Sequence, residues 1–146
     1  MGKKRIATKS GERSGGNKSR GAVRPRKTTK RQMATGIITV FSTYNNTIVS
    51  ITDTKGEVVT WSSAGSIGFK GTKKSTPYAA TLVAKDAIEK AERFGLKEVK
   101  LVIKGVGPGR EGAIRGIASS GLDVMSIVDN TPQAHNGVRA PKPRRV

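Results

Sequence analysis

The feature that most limits what this chain can fold into is the uneven spread of its charge. The sequence has 146 residues, with 28 Lys+Arg against 10 Asp+Glu, a formal net charge of +18. Residues 1–34 hold 12 of the cations and one acid, and residues 131–146 hold 4 and none, so 50 flanking residues carry +15. Residues 35–130 hold the other 12 cations and 9 acids, a net +3, the balance of an ordinary soluble domain. A segment rich in Lys, Arg, Gly and Ser cannot bury enough apolar surface to offset its ordering entropy. The expected organisation is therefore a disordered basic tail over 1–34, a compact domain over 35–130, and an extended basic tail over 131–146. Pro132, Pro141 and Pro143 favour extended backbone in the second tail. Two basic runs flanking a nearly neutral core point to nucleic acid.

Several chemistries are excluded early. The chain has no cysteine and a single histidine, His135, so disulfides, thiolate metal sites and His-Cys constellations are ruled out, and no cofactor is expected. No run of 18 apolar residues is present to span a membrane. The basic N-terminus lacks the apolar segment of a secretory signal, and Ile6 breaks the myristoylation pattern. Its Arg- and Ser-rich, acid-poor character leaves an organellar transit peptide as the alternative.

From Gly36 the pattern changes to β-branched and aromatic runs, GIITVFSTY, TIVSITD and VVTWSS, separated by Asn45-Asn46 and by Asp53-Thr54-Lys55-Gly56. These spacings predict an antiparallel three-strand meander, with asparagine tolerating the left-handed backbone of a short hairpin and Gly56 ending a four-residue turn. After a loop rich in Gly and Lys, Thr76 caps a helix with Pro77 at its first position; the pattern runs to Phe94 and Gly95 stops it. Ala80, Val83, Ala84, Ala87 and Ala91 form its inner stripe, while Asp86 with Lys90 and Glu89 with Arg93 mark a balanced solvent face. VKLVIK predicts a fourth strand, residues 109–120 a short helix ended by Gly121, and LDVMSIVD a fifth strand. The fold class is α/β: a mixed sheet, meander followed by helix-strand-helix-strand, in a ribonuclease H-like topology.

Two segments carry candidate chemistry. Gly107, Gly109 and Gly112 satisfy GxGxxG between a strand and a helix, and Asp129 offers a ribose ligand, so a dinucleotide site is one reading. Against it, a single strand-helix-strand unit is half of such a domain and the sheet begins as a meander. The same geometry can present free helix N–H groups to an RNA phosphate, with Arg110 adding charge, or serve only as a tight turn. The loop Gly65–Lys74 combines glycines with Lys70, Lys73, Lys74 and Phe69; Phe69 either stacks a base or tucks into the core. A nuclease would need clustered carboxylates; the first strand has none, and Asp53, Asp123 and Asp129 fall at turns or strand ends, as caps or turn residues, so no enzyme is expected.

Several strings together resemble one family: YNNTIVSITD, TWSSAGSIGFKGTKKSTPYAA, GVGPGREGAIRG and DNTPQAHNGVRAPKPRRV. They are similar to small-subunit ribosomal protein eleven, the universal S-eleven family, over residues 35–146, and the closing HNG and RRV resemble its bacterial and organellar branch. Ala134 and Ala140 stand where the family usually has proline, Val138 where many members have cysteine, and the N-terminal tail is longer than typical. The resemblance implies a structural constituent of the small subunit that binds and bridges rRNA helices on the platform. It implies ribosomal proteins seven and eighteen as neighbours, a share in the cleft for the messenger's Shine-Dalgarno helix, and a cytoplasmic ribosome with an organellar stroma or matrix as the alternative; neither membrane binding nor homo-oligomerisation is expected. Carried over residue by residue, the RNA-contact candidates are Asn45, Asn46, Lys70, Lys73, Lys74, Gly107, Gly109, Arg110, Arg115, His135, Asn136, Arg139, Lys142, Arg144 and Arg145. In the first tail they are Lys18, Arg20, Arg24, Arg26, Lys27, Lys30 and Arg31. The rival reading is a non-ribosomal nucleic-acid packaging protein, which binds without register.

Asn136 precedes Gly137. Glycine has no Cβ to shield its backbone nitrogen, which can attack the Asn136 side-chain carbonyl, close a succinimide and yield isoaspartate. An unmodified Asn136 that hydrogen-bonds RNA beside a glycine turn is the alternative.

Overall fold

The computed structural model describes residues 32–139 and 141. Strands β1 (Thr35–Ser42), β2 (Thr47–Thr52) and β3 (Val58–Ser63) form the meander, and helix α1 (Pro77–Glu92), strand β4 (Glu98–Lys104), helix α2 (Gly109–Ala118) and strand β5 (Asp123–Asp129) follow. The sheet order is β3-β2-β1-β4-β5. β1 pairs antiparallel with β2 and parallel with β4, and β5 is parallel to β4. The mixed α/β sheet expected from the sequence is thus observed, with β4 laid against the first strand of the meander.

Alternation assigns the faces. Ile38, Val40 and Ser42 of β1, Val49 and Ile51 of β2, and Val99, Leu101 and Ile103 of β4 are buried beneath the helices. Among the described residues no helix covers the opposite face, which carries exposed Phe41 and Trp61. Burying side chains such as Ile38, Ile51, Leu101 and Ile117 contributes about 1.5–3 kcal/mol each. The predicted alanine stripe of α1 is wholly buried, joined by Ala79 and Ile88. Thr76 caps this helix by accepting from the Ala79 N–H at 3.3 Å, and Gly95 ends it at φ 79°.

The two helices touch through small residues. Thr81 Oγ1 donates to the carbonyl of Gly112 at 3.0 Å, and a Cβ on Gly112 would lie 2.2 Å from the Pro77 carbonyl oxygen.

Two local expectations are corrected. Asp86 is not plain solvent surface: it is partly buried and accepts from Ser62 Oγ at 2.6 Å on β3 as well as from Lys90 at 2.5 Å. Asn45 and Asn46 do not take left-handed backbone; among described non-glycine residues only Asn136 has positive φ. Their connection spans four residues, Thr43–Asn46, and Thr43 Oγ1 organises it by accepting the Asn45 and Asn46 N–H groups at 3.3 and 3.1 Å. A hydroxyl-anchored turn of this length needs no positive φ.

Burial pushes the Asp86 carboxyl up, but hydrogen bonds from Lys90 and Ser62 outweigh it and leave the group below its ordinary value. A depressed folded-state value contributes stability that is present above the unfolded value, near 4, and is lost as pH falls through the folded one. Asp86→Asn is expected to flatten this part of the acid limb, by about 0.3–0.5 kcal/mol for a half-exposed i,i+4 pair. Thermal melts between pH 2 and 6 would measure it, and an unchanged acid limb would remove Asp86 from the account.

Candidate nucleic-acid interface

Strand direction decides which loops meet. β1, β4 and β5 are parallel, β2 begins where β1 ends, and β3 ends opposite the start of β2, with Ser63 across from Ile48. The turn 43–46, the loop 64–75, the segment 105–109 and the chain after Asp129 therefore all leave one end of the sheet. Loops at the carboxyl ends of parallel strands are a common place for ligand contacts. The segments 64–75, 105–110 and 130–139 bring Lys70, Lys73, Lys74, Arg110, His135 and Arg139 and no carboxylate. The opposite end is mixed, with Asp53, Lys55, Glu57, Arg93, Lys97 and Asp123.

Glycine sets how closely the rim is assembled. A Cβ on Gly107 would lie 2.5 Å from the Thr43 carbonyl oxygen, and one on Gly109 would lie 2.1 Å from Thr47 Oγ1. Only glycine lets the start of α2 sit against the β1–β2 turn, which sets Gly107 against Thr43 and Gly109 against Thr47, the residues on either side of Tyr44-Asn45-Asn46. Ser42 Oγ, Asn46 Oδ1 and Thr47 Oγ1 are buried near this junction without a hydrogen-bond partner among the described residues. Asn45 itself is exposed.

The Gly- and Lys-rich loop is more ordered than its composition suggests. A 3₁₀ turn spans Gly71–Ser75, with Lys70 just before it and Lys73 and Lys74 in its last turn. Lys70 and Lys73 are exposed and Lys74 is half-buried. Phe69 packs against the core and meets the Tyr78 ring edge-on, with centroids 6.4 Å apart at 81°. The core alternative for Phe69 is the one realised.

Arg110 is held in place. Its Nη1 donates to the Gly105 carbonyl at 2.7 Å and reaches Thr131 Oγ1 at 3.4 Å, and its Nη2 pairs with the Asp129 carboxylate. Hydrogen bonds from Thr131, and then from Arg110, hold the Asp129 carboxyl below its ordinary value. The group ties the start of α2 to the point where the C-terminal segment leaves the sheet. Asp129, a possible ribose ligand by its sequence position, is here the partner of Arg110 and caps the Thr131 N–H at 3.0 Å. Sequence reasoning missed the pair because 19 positions separate its members.

Arg115 stands apart from the other candidates. Six residues into α2, it lies about 9 Å along the axis from Gly109 and pairs with Glu111 on the exposed helix surface. His135, Asn136 and Arg139 are exposed beyond β5, with Asn136 at φ 56°. Lys142, Arg144, Arg145 and the first-tail candidates Lys18 to Arg31 lie outside the described residues. Asp53, Asp123 and Asp129 do not converge: the first two lie at one end of the sheet and the third at the other. Among the described residues no group of three or more His, Asp or Glu side chains is placed to hold a metal ion.

A mixed α/β domain that gathers acid-free cationic loops at one end of its sheet, between two basic terminal segments, belongs to the class of nucleic-acid-binding proteins. The sequence model of the family described as Ribosomal protein S11 matches residues 36–145, and the chain belongs to that family. It is a small-subunit ribosomal protein, an RNA-binding component of a ribonucleoprotein that serves translation, in a family whose role is structural.

Proposed function

We propose that the protein bridges separate rRNA helices on the small-subunit platform, with the rim and the two tails as its RNA contacts. One observation carries this reading: the chain enters the sheet at the end opposite the rim. β1 begins at Thr35, just after buried Met33, and its eight residues span about 25 Å before the first rim turn. The N-terminal tail, residues 1–34, therefore joins the domain, 35–130, at the end opposite the one from which the C-terminal tail, residues 131–146, leaves. A protein charged in this way can hold two helices at a fixed separation, whereas a packaging protein needs no such register.

Membership of the family supports the finer placement: ribosomal proteins seven and eighteen as neighbours, the messenger close by in the Shine-Dalgarno cleft, and a cytoplasmic ribosome. At the rim, Asn45, Asn46, Lys70, Lys73 and Lys74 contact RNA together with the glycine turn, and His135, Asn136 and Arg139 continue the surface. Hydroxyl-radical footprinting on small-subunit rRNA should give two protected regions that remain in the presence of excess random RNA. A single protected region, or none beyond random RNA, would overturn the bridge.

Replacing Lys70 and Lys73 together by alanine should weaken rRNA binding at least about tenfold, since each charge-assisted contact contributes about 1–3 kcal/mol. The melting temperature should stay unchanged because both side chains are exposed. Filter binding and thermal melts of the same variant separate the two effects.

At Asn136 we propose isoaspartate in a substantial fraction of assembled protein, supported by the exposed Asn136-Gly137 pair. Its new carboxylate opposes RNA binding unless it finds donors such as Arg139. Isoaspartate-specific enzymatic labelling and peptide mass spectrometry of protein from intact subunits should detect it. Finding only asparagine, with sample ageing controlled, would leave Asn136 as a plain RNA-contact residue.

A further inference from the structure

β5 is the outermost strand, next to β4. All seven of its residues are exposed. The large apolar ones are Val124 at 36 %, Met125 at 71 %, Ile127 at 57 % and Val128 at 40 % exposure. They lie on both faces, because Ile127 pairs with buried Leu101 on the helix side and Val128 with Val102 on the uncovered side. A bulge beside Val99 leaves Met125 as the extra residue, but pairing from Ser126 to Asp129 is regular. The Asn130 N–H donates to the Ile103 carbonyl at 2.9 Å. Alternation along the strand then directs the Ser126 and Val128 N–H groups to β4 and those of Ile127 and Asp129 outward. Edges of this kind are templates for another strand, and proteins usually blunt them with Lys or Pro, neither of which β5 contains.

Charge selects the occupant. In a chain of net charge +18, DVMSIVD holds no Lys or Arg and begins and ends with an acid. RNA is disfavoured, since the strand offers neither a cation for phosphate nor an aromatic ring for a base. A second copy paired antiparallel about Ser126 would set Asp123 beside the Arg110-paired Asp129 at both ends and bring no Lys or Arg of its own strand to it.

We infer that β5 is completed in the assembled small subunit by an extended segment of a neighbouring ribosomal protein. That segment is a strand of about five residues with alternating apolar side chains and a Lys or Arg at the end beside Asp123, since Asp129 is already paired with Arg110. Main-chain hydrogen bonds to Ile127 and Asp129 supply the register, and apolar neighbours cover Ile127 and Val128. The inference rests on incorporation of the protein into the small subunit, as the proposed function requires.

The test places a photoreactive diazirine amino acid at position 127 of the full chain and irradiates purified small subunits. Cross-links to one short, contiguous segment of a single ribosomal protein are expected. Cross-links to rRNA or to a second copy, or none at all, would overturn the inference. Ile127→Pro removes an outward N–H while sparing those that bond β4, and Ile127→Lys adds a cation facing the basic partner. Each should lower retention of the cross-linked neighbour in salt-washed subunits roughly tenfold. Full retention in a variant that itself remains at full occupancy would also overturn it. If the protein failed to sediment with small subunits at all, the proposed function would fall first, which distinguishes the two failures.

Discussion

A chain trimmed to residues 32–131 is expected to keep its fold and to lose at least about a hundredfold in affinity for small-subunit rRNA at physiological salt. The trimmed segments carry +15 of the +18, and the cut spares Met33, whose side chain is buried, and Thr131, which meets Arg110 and Asp129. Each cation seated on a phosphate releases counterion, so the slope of log K against log salt falls by about 0.7–0.9 for every phosphate left unneutralised. Six to ten cations seated in this way account for about 10³–10⁵ in affinity across a fourfold change of salt. Filter binding from 50 to 200 mM salt measures both quantities. Circular dichroism on the trimmed chain checks that β1 and α1 survive. An unchanged slope would move the affinity from the tails to the rim, and the bridging geometry would lose its two arms.

Much of the fold is legible in the sequence because its signals are local. Alternating β-branched residues mark β1, β2 and β3, and Thr76-Pro77 and Gly95 bound α1 to within two residues. Placing β4 beside β1 needs pairing between residues about sixty positions apart, which no local pattern encodes. The 3₁₀ turn Gly71–Ser75 leaves no sequence signal because GTKKS has no apolar periodicity and buries nothing. Asp86 reads as half of an exposed helix pair because its other partner, Ser62, lies 24 positions earlier. At the site, lysines and glycines flag the right loops, but not what Gly109 is for. Its missing Cβ makes room for the Thr47 hydroxyl, a neighbour that only the folded hairpin supplies. Sequence proximity groups Arg115 with Arg110, and helix rise separates them.

Gly112→Ala is expected to destabilise the described domain by about 2–3 kcal/mol. In an isolated helix the substitution would help, since alanine is favoured over glycine by about 1 kcal/mol. Here the added methyl would stand 2.2 Å from the Pro77 carbonyl oxygen and 2.8 and 2.9 Å from Pro77 C and Cα, all backbone atoms that no rotamer change can move. The helices must part, which loosens the packing of Gly116 on Ala84 and lengthens the 3.0 Å bond from Thr81 Oγ1 to the Gly112 carbonyl. Overpacking of this kind costs about 1–3 kcal/mol, and each kcal/mol lowers Tm by about 4–8 °C in a domain of this size. Gly95→Ala is the control, because Gly95 has φ 79° but nothing within 4 Å of the added Cβ, so only the left-handed backbone is penalised, by about 1–2 kcal/mol. A Gly112→Ala melt no lower than that of Gly95→Ala would show that the helices yield easily. The expected larger loss would assign the third glycine of the GxGxxG run to contact between two helices. In a dinucleotide fold that glycine serves close packing of helix on strand, so the same letters here record a different neighbour.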